Sequence, residues 1–88
     1  MRILAYPPYD TILGTAELEL DANHLTLWQL LQNVARKYPA FQQELPDEAS
    51  DEALRARLLP IGDGHIYSVN DLLPANATIK LFPPVSGG

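Results

Sequence analysis

The chain has 88 residues, enough for one domain with a single core and close to the lower limit for folding without covalent staples. It has no cysteine, which excludes disulfides, thiolate catalysis and cysteine-based metal sites. Six Lys+Arg against eleven Asp+Glu give a net charge of −5, and the scattered basic residues argue against nucleic-acid binding, which rests on clustered Lys and Arg.

No run approaches the length of a membrane-spanning helix, and Met1 to Tyr6 is too short in its apolar stretch for a signal peptide. A cytoplasmic protein without a membrane partner is expected. The acidic balance suits either plain solubility or docking on a basic protein partner.

Arg2 to Tyr6 is strand-like, and Pro7-Pro8 breaks it into a loop running through Asp10 and Gly14. Thr15 to Leu20 alternates, with Ala16, Leu18 and Leu20 on one face and Glu17 and Glu19 on the other. That is the period of a half-buried strand, so the chain opens with a hairpin.

The helix signal is the clearest in the chain. Thr26 and Gln29 have the spacing of a capping box, and Leu25 and Leu30 that of a hydrophobic staple. Leu27, Leu30, Leu31, Val34, Ala35 and Tyr38 form one apolar stripe. Trp28 lies off the stripe, where it either covers a loop or faces a partner. Arg36 and Lys37 complement the helix dipole, and Pro39 ends the helix.

Phe41 to Glu52 reads as an acidic, irregular loop, with a short helical turn near Asp51 to Arg57. Arg57 to Ile61 is a third strand, and Pro60 argues for an edge or a strand end. Gly62-Asp63-Gly64 is turn chemistry. His65 to Val69 is a fourth strand, Asn70 to Asn76 a loop, and Ala77 to Phe82 the last strand. His24 and His65 lack ligand spacing and read as surface or turn residues, so no metal site is expected. In the last strand Lys80 and Phe82 share a face, where Phe82 either packs beneath the following segment or joins an exposed apolar patch.

The order β-β-α-β-β-β with one long helix predicts a two-layer α+β domain. Central pairing of the first and last strands would send the chain out from the middle of the sheet. The last strand runs without a linker into Pro83-Pro84-Val85-Ser86-Gly87-Gly88. Glycine passes where no side chain fits, and proline favours an extended path. Seven extended residues from Phe82 to Gly88 reach roughly 23 Å. This is a tail suited to entering another protein's active site, set on a domain spanning residues 1–82.

The ending Leu81-Phe82-Pro83-Pro84-Val85-Ser86-Gly87-Gly88 resembles the small subunit of molybdopterin synthase and the related thiamine-pathway sulfur carriers, which typically end in F-P-P-V-[ST/A]-G-G. Arg36-Lys37-Tyr38-Pro39 and Asp71-Leu72-Leu73 add weaker support. Three segments depart from the family pattern: Tyr6 to Asp10, Gly62 to Gly64, and Ala75 to Thr78.

The resemblance implies an α+β, ubiquitin-like β-grasp fold, with a mixed sheet of four to five strands packed on one main helix. It implies that a ubiquitin-activating-type adenylyltransferase uses ATP to adenylate the carboxylate of Gly88, and that a sulfur donor displaces AMP to leave a thiocarboxylate. Phe82, Pro83, Pro84, Val85, Ser86 and Gly87 would insert into a large catalytic subunit, in a heterotetrameric synthase. There the sulfur passes to a pyranopterin precursor of the molybdenum or tungsten cofactor. On this reading the chain is the sulfur-donating, non-catalytic subunit and holds no cofactor tightly. A carrier for thiamine or cysteine pathways, a ubiquitin-like modifier joined to target lysines, and an interaction domain with an inert tail are the alternatives.

Overall fold

A computed structural model describes residues 1–84. Its elements in chain order are β1 (Arg2–Ala5), α1 (Tyr9–Leu13), β2 (Glu17–Glu19), α2 (Leu27–Lys37), α3 (Pro39–Gln42), α4 (Asp51–Arg55), β3 (Leu59–Gly62), β4 (His65–Ile66) and β5 (Thr78–Phe82). The strands form one five-stranded mixed sheet in the order β2-β1-β5-β3-β4. This is the expected α+β arrangement, with β1 and β5 paired in parallel near the centre.

Alternation builds the sheet's inner face. Ile3 and Ala5 of β1, Leu18 of β2, and Ile79 and Leu81 of β5 are buried, while their neighbours along each strand are not. The stripe of α2 closes over them: Leu27, Leu30, Leu31 and Val34 are fully buried and Ala35 nearly so. Burying each large aliphatic side chain contributes about 1.5–3 kcal/mol, so this contact dominates the core. The helix begins as expected. Gln29 N–H donates to the Thr26 hydroxyl, and Thr26 N–H donates to the Gln29 side-chain oxygen.

The structure corrects several expectations. The segment after Pro8 is the short helix α1 rather than a loop. Tyr9 and Leu13 sit one turn apart and are both buried, and Gly14 closes the helix with φ 77°. Five residues carry too little periodicity to show as a stripe. Pro39 ends α2 but also starts α3, whose Phe41 is fully buried, so the acidic segment is anchored at its front. The turn near Asp51 is α4, capped by the Ser50 hydroxyl accepting from Ala53 N–H. Ala16, expected on the buried face, is exposed, because β2 covers only Glu17–Glu19.

β4 is two residues long rather than five. Tyr67 N–H still donates to Pro60 O of β3, and beyond it the backbone donors leave the ladder: Ser68 N–H donates to Asp71 and Val69 N–H to Asp51. Pro60, expected at an edge or strand end, lies within β3, between β5 and β4. Its carbonyl accepts from Tyr67 N–H, so its missing donor faces the side where β4 stops short.

Candidate functional site at the exit of the central strand

β5 is the middle strand of the sheet, and its last residue is Phe82. The chain therefore leaves from the centre of the fold, on a strand held from both sides. β1 runs parallel with Ala5 beside Leu81, and β3 runs antiparallel with Leu59 opposite Phe82. Of the expected tail residues, Phe82 is half-buried, Pro83 exposed and Pro84 half-buried. Val85, Ser86, Gly87 and Gly88 lie outside the described residues.

Phe82 stacks on Tyr6, with ring centroids 4.3 Å apart and planes 11° from parallel. Tyr6 is itself held at both backbone groups: its N–H donates to Leu81 O and its carbonyl accepts from Tyr9 N–H. Phe82 thus rests against a fixed neighbour at the base of the tail. Sequence reasoning had not singled out Tyr6. The available signal was the repeated aromatic-Pro-Pro pattern of Tyr6-Pro7-Pro8 and Phe82-Pro83-Pro84.

The sheet's outer face continues from this point. Leu4, Lys80, Ile61 and Ile66 form one cross-strand row, since Leu4 pairs with Lys80, Lys80 with Ile61, and Ile61 with Ile66. Leu4 and Ile61 are partly exposed, and Ile66 is 39% exposed. Together with Leu59, Tyr6 and Phe82 they make an apolar band on the same face as Lys80. Lys80 and Phe82 share this face, as their spacing predicts. At the β2 edge the face turns polar, where Arg2 bridges Glu17 and Glu19, each at 3.1 Å. These exposed pairs contribute little to stability. Leu4 and Ile61 escaped the sequence reading because a strand with apolar residues on both faces gives no clean alternation.

Among the described residues three groups have shifted pKa values, and each belongs to packing away from the tail. Burial, and then the charge of Glu44, pushes the Tyr9 phenol up, while its hydroxyl donates to Arg57 O. Burial, and then Asp63, raises Tyr67. The hydrogen bond from Val69 N–H lowers Asp51. His24 and His65 are exposed, His24 with φ 57°. Among the described residues no cluster of three or more His, Cys, Asp or Glu is placed to hold a metal ion. No helix among them is long and apolar enough to cross a membrane. Trp28 is half-buried and packs against the core, so it serves the fold rather than standing free. Leu72, 65% exposed, is a separate apolar residue beside the start of α2, where it bridges Thr26.

No protein-family model and no curated protein matches the chain. Solved structures do. The chain superposes on small archaeal modifier protein 1 of Haloferax volcanii with a TM-score of 0.79 at 21% identity, covering 100% of this chain and 98% of that one. The corresponding protein of Methanosarcina acetivorans gives 0.77 at 22% identity, over 99% and 94% of the two chains. A Pyrococcus furiosus protein described as a molybdopterin converting factor subunit 1 gives 0.73 at 17% identity, over 96% and 95%. The fold these likenesses show is the ubiquitin-like β-grasp.

Proposed function

We propose that this chain is a sulfur carrier whose reactive group is the carboxylate of Gly88. The observation that carries the reading is the placement of Phe82-Pro83-Pro84 at the end of the central strand, directly ahead of Val85-Ser86-Gly87-Gly88. The folded body, residues 1–82, supplies binding energy, and the tail, residues 83–88, delivers the reactive atom. Such a division lets contacts remote from the chemistry position the reacting end.

In the proposed cycle an adenylyltransferase of the ubiquitin-activating type joins the Gly88 carboxylate to the AMP of ATP and releases pyrophosphate. A sulfide-level donor then displaces AMP, and the carboxylate becomes a thiocarboxylate. The partner's active site supplies ATP, so the carrier needs no cofactor of its own. The apolar side chains Leu4, Leu59, Ile61 and Ile66 are the surface on which the partners would seat. The proposed acceptor is a pyranopterin precursor held by the large subunit of a molybdopterin synthase, with the two subunits forming a heterotetramer in the cytoplasm. Likeness to a converting-factor subunit supports this branch.

The likeness to small archaeal modifier proteins supports a second reading, in which the activated Gly88 carboxylate is transferred to a lysine of another protein. Both readings begin with adenylation and differ in what takes the acyl group. Intact mass after incubation with the activating enzyme, ATP and a sulfur donor separates them. Replacement of one oxygen by sulfur on the free chain is the carrier outcome. Stable lysine-linked adducts identify the modifier. An unchanged mass for the fully active mixture overturns both.

A further inference from the structure

We propose that Tyr6 is a positioning residue for the tail: its ring, stacked on Phe82, sets the direction in which the chain leaves β5 at Pro83 and Pro84. The inference rests on the reading above only in treating the tail as the part a partner receives.

Two parallel neighbouring strands end alike. β1 closes with Tyr6-Pro7-Pro8 and β5 with Phe82-Pro83-Pro84, and the register that sets Ala5 beside Leu81 brings the two aromatic rings level. Proline has no N–H, so both strands lose their ladder donors just past the ring pair. The parallel ladder makes its last bond from Tyr6 N–H to Leu81 O at 3.1 Å. Past that point no ladder bond to β1 directs the second strand, and the ring contact is what remains on that side.

The two strands then diverge. The Tyr6 carbonyl accepts from Tyr9 N–H at 2.8 Å, and the chain turns into α1. Tyr6 is thus tied to the sheet through its N–H and to α1 through its carbonyl. Its backbone is held on both sides, and Phe82 lies against its ring with centroids 4.3 Å apart and planes only 11° from parallel. That face-on contact limits the rotation of Phe82 about the end of β5, and Pro83, with its fixed φ, carries the restriction into the tail.

A tail held near its inserting direction reaches a partner's channel without first being ordered. If the ring is lost, the competent fraction falls and the apparent affinity falls with it, while the chemistry of a tail already inserted is unchanged. A merely structural role would instead lower the amount of folded, active carrier.

The test compares the full chain with Tyr6→Phe, Tyr6→Leu and, from the other side of the stack, Phe82→Leu. Carbon relaxation at the Pro83 α-carbon reads the restriction directly, without any partner. Wild type and Tyr6→Phe should match. Tyr6→Leu and Phe82→Leu should both fall toward order parameters below about 0.6 at Pro83, with the core unchanged. ATP-dependent activation by the adenylyltransferase gives the second readout, with KM for Tyr6→Leu rising about 3- to 10-fold and kcat preserved. An unaltered Pro83 order parameter in folded Tyr6→Leu overturns the inference, as does a Tyr6→Phe variant as impaired as Tyr6→Leu. Should Tyr6→Leu fail to fold, Phe82→Leu decides by the same readout. Activation that survives removal of Gly88 would overturn the proposed function instead, and the Pro83 measurement would still judge Tyr6.

Discussion

Ile3 of β1 lies beside Ile79 of β5 in parallel register, and both are fully buried. The first and last strands thus meet at the centre of the core, under the stripe of α2. This pair fixes β5 as a middle strand, and so fixes where the tail begins. Ile79→Ala should destabilise the domain by about 2–5 kcal/mol, and Ile79→Val by about 0.5–1.5 kcal/mol. Urea unfolding of both variants checks the values. A loss below about 0.5 kcal/mol for Ile79→Ala would contradict this placement of β5.

Thr26 and Gln29 each satisfy a backbone donor of the other at the start of α2. Thr26→Ala should cost about 1 kcal/mol. The double variant with Gln29→Ala should cost less than the sum of the two single changes, because each change already breaks part of a shared pair. A thermodynamic cycle from four unfolding curves measures that coupling.

These two cases mark how far the sequence could be read. The capping box and stripe of α2 are local patterns with a fixed spacing, and both stand as expected. The strands Arg2–Tyr6 and Ala77–Phe82 were legible, but their central pairing was left open, because a contact between the two ends of the chain leaves no local pattern; the parallel register comes from the structure. Features set by tertiary contact were not legible. α1 exists because Tyr9 and Leu13 find a buried site, and Tyr9 donates to Arg57 O, 48 positions along the chain. The pairing of β4 with β3 ends after Tyr67, where Asp71 and Asp51 capture the N–H groups of Ser68 and Val69, and no local rule links Asp51 to Val69. At the site, Phe82 and the prolines were plain in the sequence. The ring of Tyr6 and the outer row through Leu4 and Ile61 needed the register between strands.

Asp51 accepts from Val69 N–H at 2.8 Å, and this bond is the main reason its pKa is lowered. A carboxyl lowered in the folded state stabilises the fold above its unfolded pKa, and that stabilisation is lost as pH falls through the folded value. The stability gap between wild type and Asp51→Asn should therefore be present near neutral pH and close below about pH 3.9, the ordinary aspartate value. Unfolding curves over a pH series test this. A gap that widens on acidification would contradict the assignment.

Gly62 has no room for a side chain. A Cβ there would lie 2.6 Å from Thr78 O and 2.7 Å from a ring carbon of Tyr67. Gly64 has open space but φ 77°. Gly62→Ala should therefore destabilise by about 1–3 kcal/mol or more through a backbone clash. Gly64→Ala should cost nearer 1 kcal/mol through strain. Thermal unfolding should rank Gly62→Ala as the more damaging, and the reverse order would contradict the close packing of β3 against β5.

The central claim is that one carboxylate, at Gly88, carries the activity while the folded body serves to deliver it. The most direct measurement pairs the full chain with a variant lacking Gly88 in a reconstituted mixture of activating enzyme, ATP and sulfur donor. Thermal unfolding and intact mass are recorded for both. The account predicts equal unfolding temperatures, sulfur for oxygen on the full chain, and no mass change on the truncated one. Sulfur incorporated equally by the truncated chain would contradict it.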